Sequence, residues 1–288
     1  MASLKDIKYK VGAIRKTKQI TRAMNMVSTA KLRSAQRNSE RFSLYKEGYQ
    51  ELLGEIIYRT PEYQHPLCNQ NIQSPAVGVI FITPDRGLCG AFTGELVKRF
   101  HSFCDSQMKK GIAVHCYCLG RKGYEVVKKT NCSIVGYDIG IISSITFEKI
   151  HEISDIMQSL FTQGNIQALY LIHGHFISLL SQESTEQCAL PISIDRENVS
   201  EQSDVLYEPS GVELLNEILP KMTTISVYNA VLDTIVSEHA ARMIAMNNAT
   251  KNCDDLIASF SRLYNKVRQA TVTKELMDIV SGAEALHS

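Results

Sequence analysis

The sequence predicts an α+β protein: two long helices at the ends of the chain form an antiparallel coiled coil, and a small α/β domain with a largely parallel sheet is inserted between them. Three observations predict it. A helical repeat without proline runs from Ser3 to about Arg59, short β-branched runs alternate with helical stretches from Ala76 to about Ile194, and the helical repeat returns from about Gly211 to Leu286. Each pattern has its own period, 3.6 residues for a helix face and two for a strand.

In the first segment Leu4, Ile7, Val11 and Ile14 recur at steps of three and four, and Ile20, Met24 and Val27 resume the stripe after a shift of register. The seam therefore reads as interrupted. The run TPEYQHPLCNQNIQSP, residues 60–75, carries three prolines and is read as a connector. Residues 76–83, 112–120, 168–178 and 186–194 are predicted strands, and 90–110, 121–131 and 146–163 predicted helices. That alternation argues for a largely parallel sheet in a domain spanning 76–195, followed by a connector over 196–210.

In the last segment Ile225, Tyr228, Leu232, Ile235, His239, Arg242, Met246, Ala249, Cys253, Leu256, Phe260, Leu263, Val267 and Ala270 follow alternating steps of three and four, the seam of a coiled coil. Pro220 is expected to kink or restart this helix near its beginning. The helices over 1–59 and 211–288 most simply pair with each other, giving a rod with a knob. The N-terminal helix is shorter by about 18 residues, some 27 Å, so Leu276, Ile279, Ala283 and Leu286 form an apolar tip that needs a socket. His239 and Arg242 lie at core-type positions where charge is costly. Either they specify register, or the seam here faces a partner rather than the sister helix.

Net charge is +1, but its distribution is uneven: ten Lys or Arg and a single acid lie between Lys5 and Arg37, and six acids without a Lys or Arg past Arg196 lie between Glu197 and Glu217. A basic arm on a neutral chain suggests an acidic partner. Nucleic acid is disfavoured, because Tyr9 is the only aromatic before Phe42 and the charges surround the helix. The eight cysteines are scattered and read as reduced small hydrophobes. No Cys/His spacing suits zinc, and His173 and His175 lie in an apolar β-like run as core or edge histidines, so no metal site is expected. No apolar window reaches the length of a membrane span, and the N-terminus is not a signal sequence.

The stretch TPDRGLCGAFT, residues 83–93, follows a predicted strand and opens a helix, so Gly87 and Gly90 could line a phosphate-binding turn. It lacks the three-glycine dinucleotide pattern and a Walker-type Gly-Lys-Ser/Thr, and a tight βα turn with Asp85 and Arg86 capping or pairing locally is preferred. GRKGYEVVKK, residues 120–129, reads as a second such turn. With no Gly-x-Ser-x-Gly and no framed Cys, nothing announces a catalytic centre and no cofactor is expected. The competing function class is an α/β nucleotide-binding module with the helices as an oligomerisation stalk.

MASLKDIKYKVGAIRKTKQITRAMNMVSTAKLRSAQ, DRGLCGAF, SEHAARMIAMNNATKNCDDLI and YNKVRQATVTKELMDIVSGA resemble, at both ends and in the middle, the gamma subunit of F-type ATP synthase. The resemblance implies a Rossmann-like inserted domain and a central rotary shaft, present once per complex. Its partners would be the alpha and beta subunits, epsilon and the membrane c-ring, with proton flow coupled to ATP synthesis. It implies beta-subunit contact at Arg268, Gln269 and Thr273, which can hydrogen-bond an acidic loop, and at Met24 and Arg242. It implies c-ring contact at Tyr207 and Glu208, and no bond-making residue. Asn25 replaces a usual charged residue, Pro220 is unusual, and the plastid insertion with its cysteine pair is absent, so no thiol switch is expected. The implied location is the cytoplasmic face of a bacterial membrane, with a processed mitochondrial chain as the alternative.

Overall fold

A computed structural model describes residues 4–60, 63, 65–69, 74–192, 208 and 210–287. The chain divides into two compact units, residues 1–28 with 243–288, and residues 29–242. Helices α1 (Leu4–Arg59) and α5 (Gly211–His287) each contribute to both.

In the first unit the opening half of α1 runs antiparallel to the closing half of α5. Lys10 lies 6.0 Å over the ring of Phe260, Lys18 pairs with Asp254, the hydroxyls of Thr21 and Thr250 are 2.8 Å apart, and the Asn25 side-chain amide donates to the Met243 carbonyl at 2.8 Å. As the α1 number rises, its partner's falls. The covered stripe on α1 is Leu4, Ile7, Val11, Ile14, Lys18, Thr21, Asn25 and Ser28, steps of three and four without a break. This corrects the interrupted seam: Ile20 is 60% and Val27 56% exposed. The seam continues through polar residues whose hydrogen bonds cross to the opposing helix, which offsets the cost of covering them. Hydrophobicity alone follows the wrong face there.

On α5 the seam keeps every second predicted position, Met246, Cys253, Phe260 and Val267. The intervening positions move on by one residue, to Thr250, Ile257, Tyr264 and Thr271, while Leu256, Leu263 and Ala270 turn outward. From Val272 to Gly282 every residue is exposed, Leu276 and Ile279 included. This agrees with a helix that outruns its mate.

In the second unit, Leu53, Ile56 and Ile57 of α1 pack on Leu215, Ile218, Leu219 and Met222 of α5, and the Tyr49 hydroxyl donates to the Ile218 carbonyl at 3.1 Å. The ring of Phe42 meets Tyr228 edge-on with centroids 4.7 Å apart. Helix α5 runs without interruption through Pro220. The Pro220 carbonyl accepts from the Gln158 side chain at 3.2 Å, which ties this part of the helix to the α/β domain.

The α/β domain is a five-stranded sheet in the order β3–β2–β1–β4–β5, from strands β1 (Ala76–Ile82), β2 (Ala113–Leu119), β3 (Ser133–Asp138), β4 (Leu169–Phe176) and β5 (Gln182–Leu190). The first four are parallel, and β5 is antiparallel to β4. Helices α2 (Phe92–Lys109) and α3 (Arg121–Val127) share one core with Val77, Val79, Phe81, Cys116 and Ile172. Helix α4 (Phe147–Thr162) shares the other with Ile80, Ile82, Leu119 and Leu171. Strand β1 is buried along its whole length, as a central parallel strand covered on both faces must be.

Two strand expectations are corrected. The last strand lies at Gln182–Leu190, four residues before the predicted 186–194, because the apolar CALPISI drew the prediction while the strand itself is QESTEQCAL, an antiparallel edge with one side open to water. Strand β3 was not predicted. Its run SIVGYD is short and half-buried, and its central glycine lies against the ring of Tyr117, where any Cβ would collide.

The continuous polar seam has a direct test in the isolated chain. Val27→Lys should change stability by less than about 0.5 kcal/mol, whereas Ser28→Lys, at a seam site 3% exposed, should cost about 2 kcal/mol or more. Urea titration of both variants checks it, and equal losses would contradict the assigned face.

Candidate functional site

In a sheet of this order the chain leaves β1 toward β2 and β4 toward β5, in opposite directions, and the crevice at the carboxyl ends of β1 and β4 is where such folds receive ligands. Here α5 fills it. The Gly174 amide, near the end of β4, donates to the Thr234 hydroxyl oxygen at 3.1 Å, and that hydroxyl donates to the Ala230 carbonyl at 2.8 Å. One Asp233 carboxylate oxygen accepts from the Phe176 amide at 2.9 Å and the other lies 2.6 Å from His175 Nδ1. Glycine at 174 leaves room for the ring of Phe92 on α2, which a Cβ there would strike. Val227, Ala230 and Val231 enter one core of the sheet and Ala241 the other.

At the end of β1 the turn over residues 84–90 is held from both sides. Asp85 accepts from the Arg121 amide at 3.0 Å and the Gly140 amide at 2.7 Å, so instead of capping its own turn locally it ties that turn to the start of α3 and to the loop after β3. The carbonyls of Arg86 and Gly87 each accept from the Arg242 guanidinium at 3.3 Å. Leu88 adopts φ 65°, a left-handed conformation rare for leucine, with its side chain 62% exposed. The turn's carbonyls thus bind a cation of the same chain.

Arg242 is 8% exposed, and its guanidinium also binds Glu238 at 2.5 Å and lies 3.3 Å from His239 Nδ1. Glu238 is equally buried. Burial raises the Glu238 carboxyl above its ordinary range while Arg242 pulls it back. Burial, then Arg242 and Lys31, push His239 down to about 4. His239 is therefore neutral at pH 7, its Nδ1 available to Arg242.

The charged seam at His239 and Arg242 faces the domain's own βα turn, so any position it specifies is that of the helix against the domain. Glu238 and Asp233, absent from the sequence-based candidates, complete the site. The spacing of Glu238 four residues before Arg242 was a legible signal for the pair, whereas nothing local marks Asp233. The remaining expected residues lie elsewhere. Met24 is half-buried on α1, and Arg268, Gln269 and Thr273 are exposed on α5, with the Thr273 hydroxyl donating to the Gln269 carbonyl at 2.9 Å. Glu208 is exposed, and Tyr207 lies outside the described residues. Among the described residues no group of His, Cys, Asp and Glu could hold a metal ion, and no helix is long and apolar enough to cross a membrane.

These features define a class: a protein built on antiparallel helix pairing, whose Rossmann-like domain grips one of its own long helices at the topological switch point. The family model described as ATP synthase matches residues 3–286. The ATP synthase gamma chain of Lawsonia intracellularis is 43% identical over 99% of this chain and 100% of that relative, and that of Nitratidesulfovibrio vulgaris 38% identical over 99% of each. Among solved structures, the fold resembles a chain of the Euglena gracilis mitochondrial ATP synthase with OSCP, F1 and c-ring (TM-score 0.67, 16% identity, 99% of this chain and 94% of that one). It also resembles a chain of the Tetrahymena thermophila mitochondrial ATP synthase central stalk and c-ring (TM-score 0.59, 24% identity, 80% and 99%). The chain belongs to the ATP synthase gamma chain family.

Two predictions follow from the buried cluster. Arg242→Ala leaves Glu238 buried without its partner and should cost about 3–5 kcal/mol, while Glu238→Gln combined with Arg242→Gln should cost clearly less; additive losses in chemical denaturation would show that the two groups are not coupled. For His239, the unfolded side chain takes up a proton near pH 6.5 and the folded one only near pH 4, so stability declines as pH falls through that window. The full effect is about 3 kcal/mol. His239→Asn, which keeps an acceptor for Arg242, should flatten the decline, and superimposable pH profiles of wild type and variant would contradict it.

Proposed function

We propose that this gamma chain is the central rotary shaft of an F-type ATP synthase. Its rotation couples proton flow through the membrane c-ring to successive conformational changes of the catalytic beta subunits, in the direction of synthesis or of hydrolysis. The observation that carries this is the match to ATP synthase gamma chains along the whole chain rather than over the α/β domain alone. The filled switch-point crevice supports it as well. An α/β module of this topology that bound nucleotide would need the space that Thr234, Asp233 and Arg242 occupy.

The chain contributes no bond-making group; catalysis belongs to the beta subunits. One copy works with the alpha and beta hexamer, epsilon and the c-ring, peripheral to the cytoplasmic face of a bacterial membrane. The helices over 1–59 and 211–288 form the shaft, and the domain over 76–195, flanked by connectors, forms the foot.

Exposed Arg268 and Gln269, one turn before Thr273, offer hydrogen-bond donors to an acidic loop of beta. Met24 adds a deformable apolar contact suited to meeting each beta subunit in turn. Arg242 acts on beta through α5, because its guanidinium is committed to Glu238 and to the turn at Arg86 and Gly87. Tyr207 and Glu208 are the proposed contacts to the c-ring.

A tagged chain should co-purify alpha, beta and epsilon subunits from membranes. The isolated chain should hydrolyse no ATP, and adding it to an alpha–beta hexamer should produce rapid hydrolysis. Replacing Arg268, Gln269 and Thr273 together with alanine should slow that hydrolysis several-fold with assembly intact. Turnover by the isolated chain, or absence of these subunits from the purified material, would overturn the proposal.

A further inference from the structure

The sulfur atoms of Cys104, in the second half of α2, and Cys132, just before β3, lie 3.5 Å apart. Cys104 is 4% exposed and belongs to the core beneath α2, while Cys132 packs against the same core and is half-buried. A second pair, Cys116 and Cys118 on β2, lies with sulfurs 3.8 Å apart and both residues fully buried. One thiol of the four, that of Cys132, therefore combines a sulfur neighbour with access to water.

We propose that Cys104 and Cys132 form a reversible oxidation site, in which hydrogen peroxide converts the two thiols to an intramolecular disulfide that staples α2 to the start of β3. The Cys132 thiolate attacks one peroxide oxygen, the O–O bond breaks, and hydroxide leaves and takes up a proton as water. Cys132 is then a sulfenic acid, oxidised by two electrons while the peroxide is reduced. The Cys104 sulfur attacks that sulfur, the S–S bond forms, the S–O bond breaks, and the hydroxyl departs as a second water with the Cys104 proton. A dithiol reductant returns both thiols.

The assignment of roles follows from burial. Cys132 is the one a small oxidant can reach, and Cys104 the resolving sulfur already in place behind it. Acidity agrees: hydrogen bonding from Cys104 holds the Cys132 thiol down at about 6, whereas that same bond and burial push the Cys104 thiol up. Burial likewise pushes the Cys116 thiol well above its ordinary range, which makes the β2 pair inert. The expectation of no thiol switch concerned a plastid insertion that this chain lacks, and the present pair belongs to the sheet domain itself.

The test uses the full chain, exposed to hydrogen peroxide, quenched, unfolded and alkylated. Free thiols should fall from eight to six, peptide mapping should show Cys104 joined to Cys132, and dithiothreitol should restore eight. Cys104→Ser should stop at a Cys132 sulfenic acid that a dimedone probe labels, Cys132→Ser should lose at least tenfold in oxidation rate, and Cys118→Ser should behave as wild type. Retention of eight thiols, a Cys116–Cys118 link, or oxidation of Cys132→Ser at the wild-type rate would each overturn the proposal.

Discussion

The buried pair of Glu238 and Arg242, tied to the carbonyls of Arg86 and Gly87, is the constraint on which the second unit depends. It brings a helix with its own coiled-coil role onto the end of a sheet and fixes the helix in rotation and height. Hydrophobic contact alone would leave both adjustable, since apolar surfaces slide at little cost, whereas a guanidinium with several acceptors has one geometry. Asp233 and Thr234, two turns earlier, repeat the device on β4 with backbone amides as donors. Just before both points Val227, Ala230 and Val231 supply burial without direction.

The same division of labour appears in the first unit. Ile7, Phe260 and Cys253 give the helix pair its apolar area, and Lys18, Thr21 and Asn25 set its register by bonds to Asp254, Thr250 and the Met243 carbonyl. A narrow polar seam also keeps large side chains outside, where Leu256, Leu263, Val272 and Ile279 present an apolar outer surface on α5. For the shaft proposed above, such a surface is available to a partner without unpacking the helices.

Much of the fold was legible because periodicity reports burial. The alternation of three and four placed α1 and α5, and β-branched runs placed β1, β2 and β4 within about two residues. What escaped was burial achieved through hydrogen bonds. A hydrophobic stripe cannot register Lys18, Thr21, Asn25 and Ser28 as a seam, and so favoured Ile20 and Val27 on the open side. Strand β5 escaped for the same reason, its polar run paired along β4 while the apolar residues after it drew attention. At the site, Arg242 was conspicuous as a charge in a seam, but its acceptors at Arg86 and Gly87 are backbone carbonyls more than 150 residues away, and no local pattern encodes them. The exposed candidates Arg268, Gln269 and Thr273 came from family resemblance, since nothing in composition or spacing separates them from an ordinary solvated face.

The central claim is that the switch-point crevice is permanently occupied by α5 and is no ligand site. Native-state hydrogen exchange at the Gly174 and Phe176 amides reads this directly, because Thr234 and Asp233 are their acceptors. With the crevice occupied, both amides should exchange only through global unfolding, at rates that magnesium-ATP leaves unchanged. Fast local exchange at these two amides, or added protection when nucleotide is present, would contradict it.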